Sequence, residues 1–309
     1  MSEPKAPPVP TLPAVRRQAL RHHLMHEIQR PARRSRRMLV LVPVGVLAVA
    51  LVAGAIARPW VPDSAPLTVT VEQGDRSGVT VFLNQVAAAA AVKPETSSGE
   101  GGYVYIKSRV AFAQLGNGPA RLQPVHEREI WIPRFERGDG LLRQPFFHVP
   151  IIGAIPQRET LTDMTPNAEL VDLPSDPDEL LAMLYRKRDQ QVTGNSRDGA
   201  VFTEIGDILR ESLAPPRTSA ALYRAAAKIP GVEVVRGVTD AAGRPGTAVA
   251  FTELRLRYEW IFDERTFEYL GERSYLVEDT ADGPAGTVLG TTAVLQRGVV
   301  SKLGQRPGG

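Results

Sequence analysis

Residues 254–277, LRLRYEWIFDERTFEYLGERSYLV, are the stretch that decides the fold. At 254–260 apolar side chains alternate with charged ones, which is the period of a β-strand with one buried face. The aromatic face carries Tyr258, Trp260 and Phe262. A turn at 263–266 would return the chain as a second strand, so the stretch predicts an antiparallel hairpin. The sequence therefore predicts a sheet whose apolar face must be covered.

The register of this hairpin is predicted from both of its faces. A four-residue turn sets Trp260 opposite Tyr269 on the apolar face, where aromatic pairs stabilise a sheet. The same register sets Arg257 opposite Glu272 on the other face. Because a slip of one residue would exchange the two faces, their agreement favours this pairing.

Further strands and helices are predicted on either side of the hairpin. A capping box that begins at Asp176 predicts the start of one helix, and alternation predicts the strands. The predicted strands lie at 102–112, 125–135, 232–236, 247–252 and 287–295, and the predicted helices at 79–91, 177–187, 198–213 and 218–228. The segment 138–143, GDGLLR, lacks the third glycine of a dinucleotide loop and is predicted as a turn. The predicted fold class is α+β, an antiparallel sheet packed on helices.

A second informative stretch runs from Met38 to Ala57, MLVLVPVGVLAVALVAGAIA, without a charged, amide or hydroxyl side chain. A helix of this length covers about 30 Å, the hydrocarbon thickness of a bilayer, and satisfies its own backbone there. Five arginines lie between Arg30 and Arg37, whereas Arg58 alone follows closely, and cations stay on the cytoplasmic side. We expect a single-pass cell-membrane protein with a cytoplasmic N-terminus and an extracytoplasmic C-terminal domain. The alternative is a signal peptide cleaved after Ala57, because the apolar run ends in a small-x-small pattern.

The chain is therefore divided into a basic cytoplasmic tail with a short helix (1–37), a transmembrane helix (38–57), a linker (58–78), an extracytoplasmic α+β domain (79–300) and a disordered tail (301–309). Residues 1–37 carry a net charge of +7 and the rest of the chain −4. The basic charge is thus concentrated beside anionic lipid headgroups, which indicates a lipid bilayer and not a nucleic acid as partner. The chain has no cysteine, which excludes disulfides, thiolate metal sites and a cysteine nucleophile.

Patterns that would indicate catalysis or metal binding fail on their spacing. His126 and Glu127 lack the second histidine of a zinc-protease helix. His22 and His26 are one helical turn apart, but no carboxylate or cysteine set completes a shell around them. Asp279 does not begin a calcium loop. We therefore expect no enzyme activity, no metal and no cofactor.

Two groups of residues are candidates for binding. The aromatic side chains of the predicted strands either pack in the core or line an apolar pocket. These candidate ligand-lining residues are Tyr103, Tyr105, Trp131, Tyr258, Trp260 and Tyr269. On the cytoplasmic side, Leu20, Leu24 and Ile28 recur every four residues and predict one face of a short basic helix, which lies on the bilayer or contacts a partner.

Three runs of sequence carry a resemblance to a known family: LPSDPDELLAML at 173–184, IPGVEVV at 229–235 followed by DAAGR at 240–244, and FDERTFEYLGER at 262–273. The chain resembles an actinobacterial family of single-pass membrane proteins, often encoded beside extracytoplasmic-function sigma factors, some of which are labelled anti-sigma factors. Its outer domain is also similar in plan to the lipoprotein-carrier half-barrel (LolA-like), in which a curved antiparallel sheet wraps around helices. The sigma-E regulatory protein that senses periplasmic lipids shares this plan.

The resemblance implies an extracytoplasmic binding or sensing protein with a regulatory role, whose ligand is an apolar molecule or a lipoprotein. The first alternative is a membrane-bound anti-sigma factor that binds a sigma factor through its short cytoplasmic helix. Zinc-type anti-sigma domains use cysteines, however, which this chain does not contain. The second alternative is an enzyme of another class.

Overall fold

The computed structural model describes residues 67–95, 102–116, 118–146, 155–164, 167–170, 172–189 and 196–308. The described residues belong to one unit, Pro66–Gly309. The predicted membrane span at 38–57 and the predicted helix face of Leu20, Leu24 and Ile28 lie outside them. Within these described ranges, no helix is both long enough and apolar enough to cross a membrane.

Ten strands and four α-helices are present among the described residues, which confirms the predicted α+β class. The strands are β1 (Tyr103–Gly116), β2 (Gly118–Leu122), β3 (His126–Pro133), β4 (Gly138–Phe146), β5 (Ile155–Met164), β6 (Val232–Thr239), β7 (Pro245–Glu253), β8 (Leu256–Phe262), β9 (Tyr269–Leu276) and β10 (Val288–Val300). The helices are α1 (Val79–Ala91), α2 (Pro177–Asp189), α3 (Arg197–Glu211) and α4 (Pro216–Ala226), with one 3₁₀ turn at Asn167–Leu170. The predicted cap of α2 is confirmed, because the Asp176 carboxylate accepts the backbone N–H groups of Asp178 and Glu179, each at 2.9 Å.

Nine strands form one open antiparallel sheet in the order β5-β4-β3-β1-β10-β9-β8-β7-β6, and the short β2 pairs with β1 beside it. The two halves of the domain meet where β1 pairs with β10. This pairing runs from Tyr103 opposite Val300 to Phe112 opposite Gly290. The first and last strands therefore lie side by side at the middle of the sheet.

The helices pack on one face of the sheet, which we call the helix face. Its main core buries aromatic side chains of the sheet against apolar side chains from all four helices. Members of this core are Phe82, Leu83, Leu180, Leu184, Val201, Phe202, Ile205, Ala221, Leu222, Val249, Phe251, Trp260 and Phe262. A second group on the same face, the apolar strand cluster, consists of Val104, Ile106, Ile130, Ile132, Leu142 and Val294. Tyr269 contacts both groups and therefore marks the boundary between them.

The hairpin between β8 and β9 forms where it was predicted, but its predicted register is wrong. Trp260 lies opposite Glu272 and not opposite Tyr269. Arg257 lies opposite Tyr275 and not opposite Glu272. The aromatic face of β8 is nevertheless directed at the helices, as the alternation predicted.

Two local features shift this register. The loop is longer than four residues, because the last paired residues are Phe262 and Tyr269, which leaves 263–268 between the strands. A bulge then leaves Leu270 as an extra residue, since Ile261 pairs with Gly271. Neither feature is visible in the alternation of the sequence, and together they place the Glu272 carboxylate on the helix face.

The opposite face of β8 and β9, which belongs to the outer face of the sheet, is charged and buried. Glu259 is 0% exposed and accepts hydrogen bonds from Arg273 at 2.6 Å and from the Tyr275 hydroxyl at 2.8 Å. Arg257 beside it donates to Glu233 at 2.7 Å. Burial of these charges is tolerable only because each has an opposite charge within hydrogen-bonding distance.

The DAAGR run is a turn that covers part of the outer face. Asp240 holds it together by accepting the Nε of Arg244 at 2.7 Å. Arg244 donates onward to the carbonyls of Leu270, at 3.0 Å, and Val294, at 2.9 Å. The turn that joins β6 to β7 is therefore fastened to β9 and β10.

The segment 138–143, predicted as a turn, is part of β4 instead. Leu141 and Leu142 pair with Trp131 and Ile130 of β3, and both leucines are buried. The neighbouring strands on both sides of β4 outweigh the local preference of its glycines for a turn.

Parts of the predicted linker (58–78) and of the predicted disordered tail (301–309) are bound to the sheet. Asp75 exchanges two backbone hydrogen bonds with Val234 of β6, at 2.8 and 2.9 Å. This contact covers an edge strand that would otherwise expose unpaired backbone groups. Residues 301–308 lie on the outer face, in contacts described below.

Helix α3 approaches the sheet closely at Gly206. A Cβ atom added there would lie 2.5 Å from Nε1 of Trp260 and 2.9 Å from Oε1 of Glu272. One turn earlier, the Phe202 ring stacks on the Trp260 ring with centroids 3.9 Å apart and an interplanar angle of 6°. The absence of a side chain at Gly206 therefore allows the Phe202 ring to stack on Trp260. The glycine thereby sets the distance between α3 and the sheet.

We expect Gly206→Ala to lower the stability of the fold by about 1 to 3 kcal/mol, because the added methyl group overpacks a filled contact. The loss should exceed the gain from the higher helix propensity of alanine, which is about 1 kcal/mol. The measurement is the melting temperature of the full chain by circular dichroism. Gly138→Ala is the matched control, since its Cβ would meet only Pro133 Cγ at 3.9 Å. Equal melting temperatures for the two variants would contradict the close approach.

Candidate functional site

The structure divides the six predicted ligand-lining aromatics between the two faces of the sheet. On the helix face lie Tyr258, Trp260 and Tyr269. On the outer face, in a separate cluster, lie Tyr103, Tyr105 and Trp131. They are therefore two groups of three, and a ligand-lining role for either group stays a prediction.

Trp260 and Tyr269 have different surroundings on the helix face. Trp260 is 2% exposed, with the Phe202 ring against it. Tyr269 is half-buried, and its ring meets the edge of Phe262 at 5.8 Å between centroids. Of the two, Tyr269 is the one that lies at the boundary of the core.

A band of polar and charged side chains crosses the helix face between the main core and the apolar strand cluster. It is formed by the last turns of α3 and by the central strands β3, β1, β10 and β9. Its members, the central polar group, are Ser108, Arg128, Asp207, Arg210, Glu211, Tyr269, Glu272, Thr292 and Arg297.

Ion pairs attach the end of α3 to this band. Arg210 donates to Glu272 at 2.8 Å and to Asp207 at 3.0 Å, and Arg128 pairs with Glu211 at 3.1 Å. Burial works to lower the pKa of Arg210, but the three neighbouring carboxylates hold that pKa well above its ordinary value. The C-terminal end of α3 is therefore held over the centre of the sheet by charges that remain ionised.

Arg297 differs from the other cations of the group, because it makes no ion pair with the described residues. Its Nη2 donates to the carbonyl of Leu209 in α3, and its guanidinium lies 5.4 Å from the centroid of the Tyr269 ring. Its Nε is buried without a hydrogen-bond partner, and so is the hydroxyl of Tyr269. Unsatisfied buried polar atoms are uncommon in folded proteins and indicate a place for a water, an ion or a ligand.

The pKa values of these groups show how strongly they are desolvated. Burial lowers the pKa of Arg297. Burial, followed by the nearby Glu272 carboxylate, raises the pKa of Tyr269 well above its ordinary value. Burial raises the pKa of Tyr223, on α4, to about 12, while the Arg297 charge works in the opposite direction. At neutral pH the site therefore presents a guanidinium beside phenol hydroxyls that keep their protons.

The surroundings of Arg297 change from polar to apolar across one strand. In the pairing of β1 with β10, Arg297 lies opposite Ile106 of the apolar strand cluster. A guanidinium and phenol hydroxyls beside an apolar surface can bind the anionic head and the hydrocarbon part of one amphipathic molecule. This is the chemistry that the geometry of the helix face supports.

Sequence reasoning did not identify Arg297, Arg210 or Glu272 as site residues. Arg297 has a visible signal, because it interrupts the apolar alternation of 288–300, VLGTTAVLQRGVV. Glu272 has none, since its position on the helix face depends on the bulge at Leu270.

Among the described residues, no three His, Asp or Glu side chains converge in the way that a metal ion requires. Asp279, considered above for calcium, accepts the backbone N–H of Ala285 at 2.8 Å and thereby closes a turn.

We expect the free energy of unfolding to fall as the pH rises above 10.0, because the folded chain holds the proton of Tyr223 up to a pKa of about 12. The contribution of Tyr223 to the free energy of unfolding is complete below the ordinary pKa of tyrosine, 10.0. It is lost as the pH rises through the pKa of Tyr223 in the folded chain, and the loss amounts to about 1 to 3 kcal/mol. The melting temperature of Tyr223→Phe should therefore decrease less than that of wild type between about pH 9 and 11. The same pair of proteins compared at neutral pH is the control. Identical losses in the two proteins would contradict the burial of this hydroxyl.

Comparison of the chain with known protein families, with curated proteins and with solved structures found no match. What the protein does is therefore inferred from its sequence and from the geometry of the helix face.

Proposed function

We propose that this chain is a single-pass membrane protein whose extracytoplasmic domain binds an amphipathic ligand and has a sensing, regulatory role. The apolar run at 38–57 and the arginines before it support the anchor and its orientation. The open antiparallel sheet with helices on one face supports the half-barrel plan of the lipoprotein carriers. The ligand class is carried by one observation, the buried guanidinium of Arg297 whose Nε has no partner.

Arg297 lies where both parts of an amphipathic ligand find matching surfaces. An anionic head would accept hydrogen bonds from the unpaired donors of Arg297 and Tyr269. Hydrogen bonds between ionised groups are about twice as strong as neutral ones, which favours a carboxylate or phosphate over an uncharged head. A hydrocarbon chain would pack against the apolar strand cluster, which begins opposite Arg297 at Ile106 and whose side chains are buried, so binding requires the cluster to open.

Occupation of this site would be transmitted to a helix. Arg297 already donates to the carbonyl of Leu209, in the last turn of α3. A bound anion would accept from the unpaired Nε and leave the bond from Nη2 to Leu209 in place, so a ligand favours conformations in which Arg297 is fixed beneath this end of α3. Such a difference in contacts between two states is what allows a ligand to shift a conformational equilibrium.

The second proposal is a membrane-bound anti-sigma factor. The four-residue spacing of Leu20, Leu24 and Ile28 within a basic segment favours a cytoplasmic helix that binds a partner. These residues lie outside the described part of the chain. The two proposals are compatible, because a ligand outside the membrane and a sigma factor inside it are the two ends of one signalling protein.

The ligand class is tested with a fatty acid that carries a photoreactive diazirine at its hydrocarbon end. We expect the full chain in nanodiscs to be cross-linked at residues of the apolar strand cluster, as mapped by peptide mass spectrometry. Arg297→Gln removes the cation that binds the head group, and the cross-link yield in the cluster should fall about tenfold.

The matched control for this experiment is Arg255→Gln, since Arg255 is exposed and pairs with Glu278 at 2.7 Å away from the site. Its cross-link yield should equal that of wild type. Cross-links confined to residues 38–57, or a yield that Arg297→Gln leaves unchanged, would contradict the proposal.

The membrane orientation is tested by cysteine labelling, because the chain has no cysteine of its own. We expect a membrane-impermeant maleimide to label Ala88→Cys, an exposed position on α1, in intact spheroplasts. Ser2→Cys should be labelled only after lysis. The reverse pattern would place the domain in the cytoplasm, and a purified chain that begins at Arg58 would show that the apolar segment is cleaved.

A further inference from the structure

The C-terminal segment 301–308 is bound to the outer face of the sheet. It starts with a turn in which Gln305 Oε1 accepts the Ser301 hydroxyl at 3.0 Å and the Lys302 N–H at 3.2 Å. The indole Nε1 of Trp131 then donates to the Gln305 carbonyl at 2.5 Å. Pro307 lies over Gly298, where an added Cβ would be 3.0 Å from Pro307 Cγ. The segment is thus held at successive residues, and one of these contacts is to its backbone.

The strongest contact of the segment is a two-point ion pair between Arg306 and Glu129. Nε donates to Oε1 at 2.6 Å and Nη2 to Oε2 at 2.7 Å, which is the fork geometry that arginine makes with a carboxylate. The two side chains are unequally buried, since 63% of Arg306 is exposed but only 9% of Glu129. The carboxylate therefore belongs to the interior of the domain, whereas the guanidinium reaches it from outside.

Glu129 is positioned by the fold and not by the segment that binds it. The Tyr105 hydroxyl donates to Oε1 of Glu129 at 2.6 Å. The Tyr105 and Trp131 rings pack with centroids 5.1 Å apart, and the Arg143 guanidinium lies 4.9 Å from the Trp131 ring. The hydrogen bond from Arg306 and the attraction of its charge hold the pKa of Glu129 below its ordinary value, so the carboxylate is ionised at neutral pH.

These contacts form a receptor for an arginine in a peptide segment. We call it the tail site and define it by Tyr105, Glu129, Trp131, Arg143 and Gly298. The Glu129 carboxylate of the tail site binds a guanidinium, and the Trp131 indole N–H donates to a backbone carbonyl. Gly298 leaves space for the residue that follows the arginine. None of these features requires that the peptide belong to the same chain.

We propose that the tail site is a protein-interaction site for an arginine-bearing segment of a partner protein, and that the chain's own segment 303–307 occupies it as a competitor. Charge complementarity supports this occupant, because a buried, preorganised carboxylate selects a guanidinium and rejects an acidic peptide. A partner must displace an occupant whose effective concentration is about millimolar.

The proposal is tested with a fluorescein-labelled synthetic peptide, SKLGQRPGG, which repeats residues 301–309. Binding to the full chain in a non-ionic detergent is followed by fluorescence anisotropy. We expect Arg306→Ala, which weakens the chain's own occupant, to bind the peptide about tenfold more tightly than wild type. A peptide with alanine in place of its arginine should not bind either chain.

Two further variants separate recognition from folding. Glu129→Gln combined with Arg306→Ala keeps a hydrogen-bond acceptor for Tyr105 but removes the charge, and it should lose the gain in peptide binding. Arg306→Lys keeps a cation beside Glu129 but loses the fork, and it should give an intermediate gain even if Arg306→Ala unfolds. Arg255→Ala, at an exposed arginine elsewhere, should bind as weakly as wild type.

Three results would overturn the proposal. One is a folded Arg306→Ala chain that binds the peptide no better than wild type. Another is equal binding of the peptide in which alanine replaces arginine. The third is a concentration-dependent dimer of wild type that Glu129→Gln abolishes, since this would assign the tail site to exchange of tails between copies of this chain.

Discussion

The antiparallel pairing of β1 with β10 is the contact on which both candidate sites depend. It joins the first five strands to the last five, because every other neighbouring pair along the sheet lies within one half of the domain. On the helix face it brings Arg297 opposite Ile106, so that the polar band adjoins the apolar strand cluster. At the end of the same pairing, Val300 lies opposite Tyr103, and the segment that follows is thereby delivered to the outer face of β1 and β3. One register therefore positions the candidate ligand site on one face and the tail site on the other.

Charge is buried on both faces of this sheet, and the degree to which it is satisfied differs from residue to residue. On the outer face, both oxygens of Glu259 accept a hydrogen bond. Arg273 donates to Oε2 and the Tyr275 hydroxyl donates to Oε1. A fully paired group of this kind contributes little net stability, but breaking it leaves a buried charge at a cost of about 3 to 5 kcal/mol. On the helix face, the Nε of Arg297 and the hydroxyl of Tyr269 have no partner. On the outer face the Nε of Arg257 is likewise buried without a partner, so Arg297 and Tyr269 are distinguished as a candidate binding site by the apolar strand cluster beside them and not by incomplete satisfaction alone.

The hairpin of β8 and β9 shows how far local patterns lead and where they fail. Alternation placed Tyr258, Trp260 and Phe262 on one face correctly, because side-chain direction in a strand has a period of two whatever the partner strand is. Alternation did not find the longer loop or the bulge at Leu270, since both depend on hydrogen bonds that form only between paired strands. The error in register matters for the candidate site. The bulge at Leu270 places Glu272 on the helix face, where Glu272 accepts a hydrogen bond from Arg210. For the same reason β4 was mistaken for a turn, as its strand conformation is imposed by its neighbours.

The sequence by itself determined the α+β class and, in the part of the chain that the structure describes, the positions of the four helices and of most of the strands, since these follow from side-chain periodicity and capping residues that are close in the chain. It also determined that the aromatic face of β8 would be covered, because exposing it to water costs free energy. Only the tertiary structure decided that the six aromatic candidates lie in two separate groups, since that depends on which strands are neighbours. Only the tertiary structure decided that Arg297 is left with an unpaired Nε and that Glu129 receives Arg306, because both are outcomes of long-range strand register, which no local pattern contains.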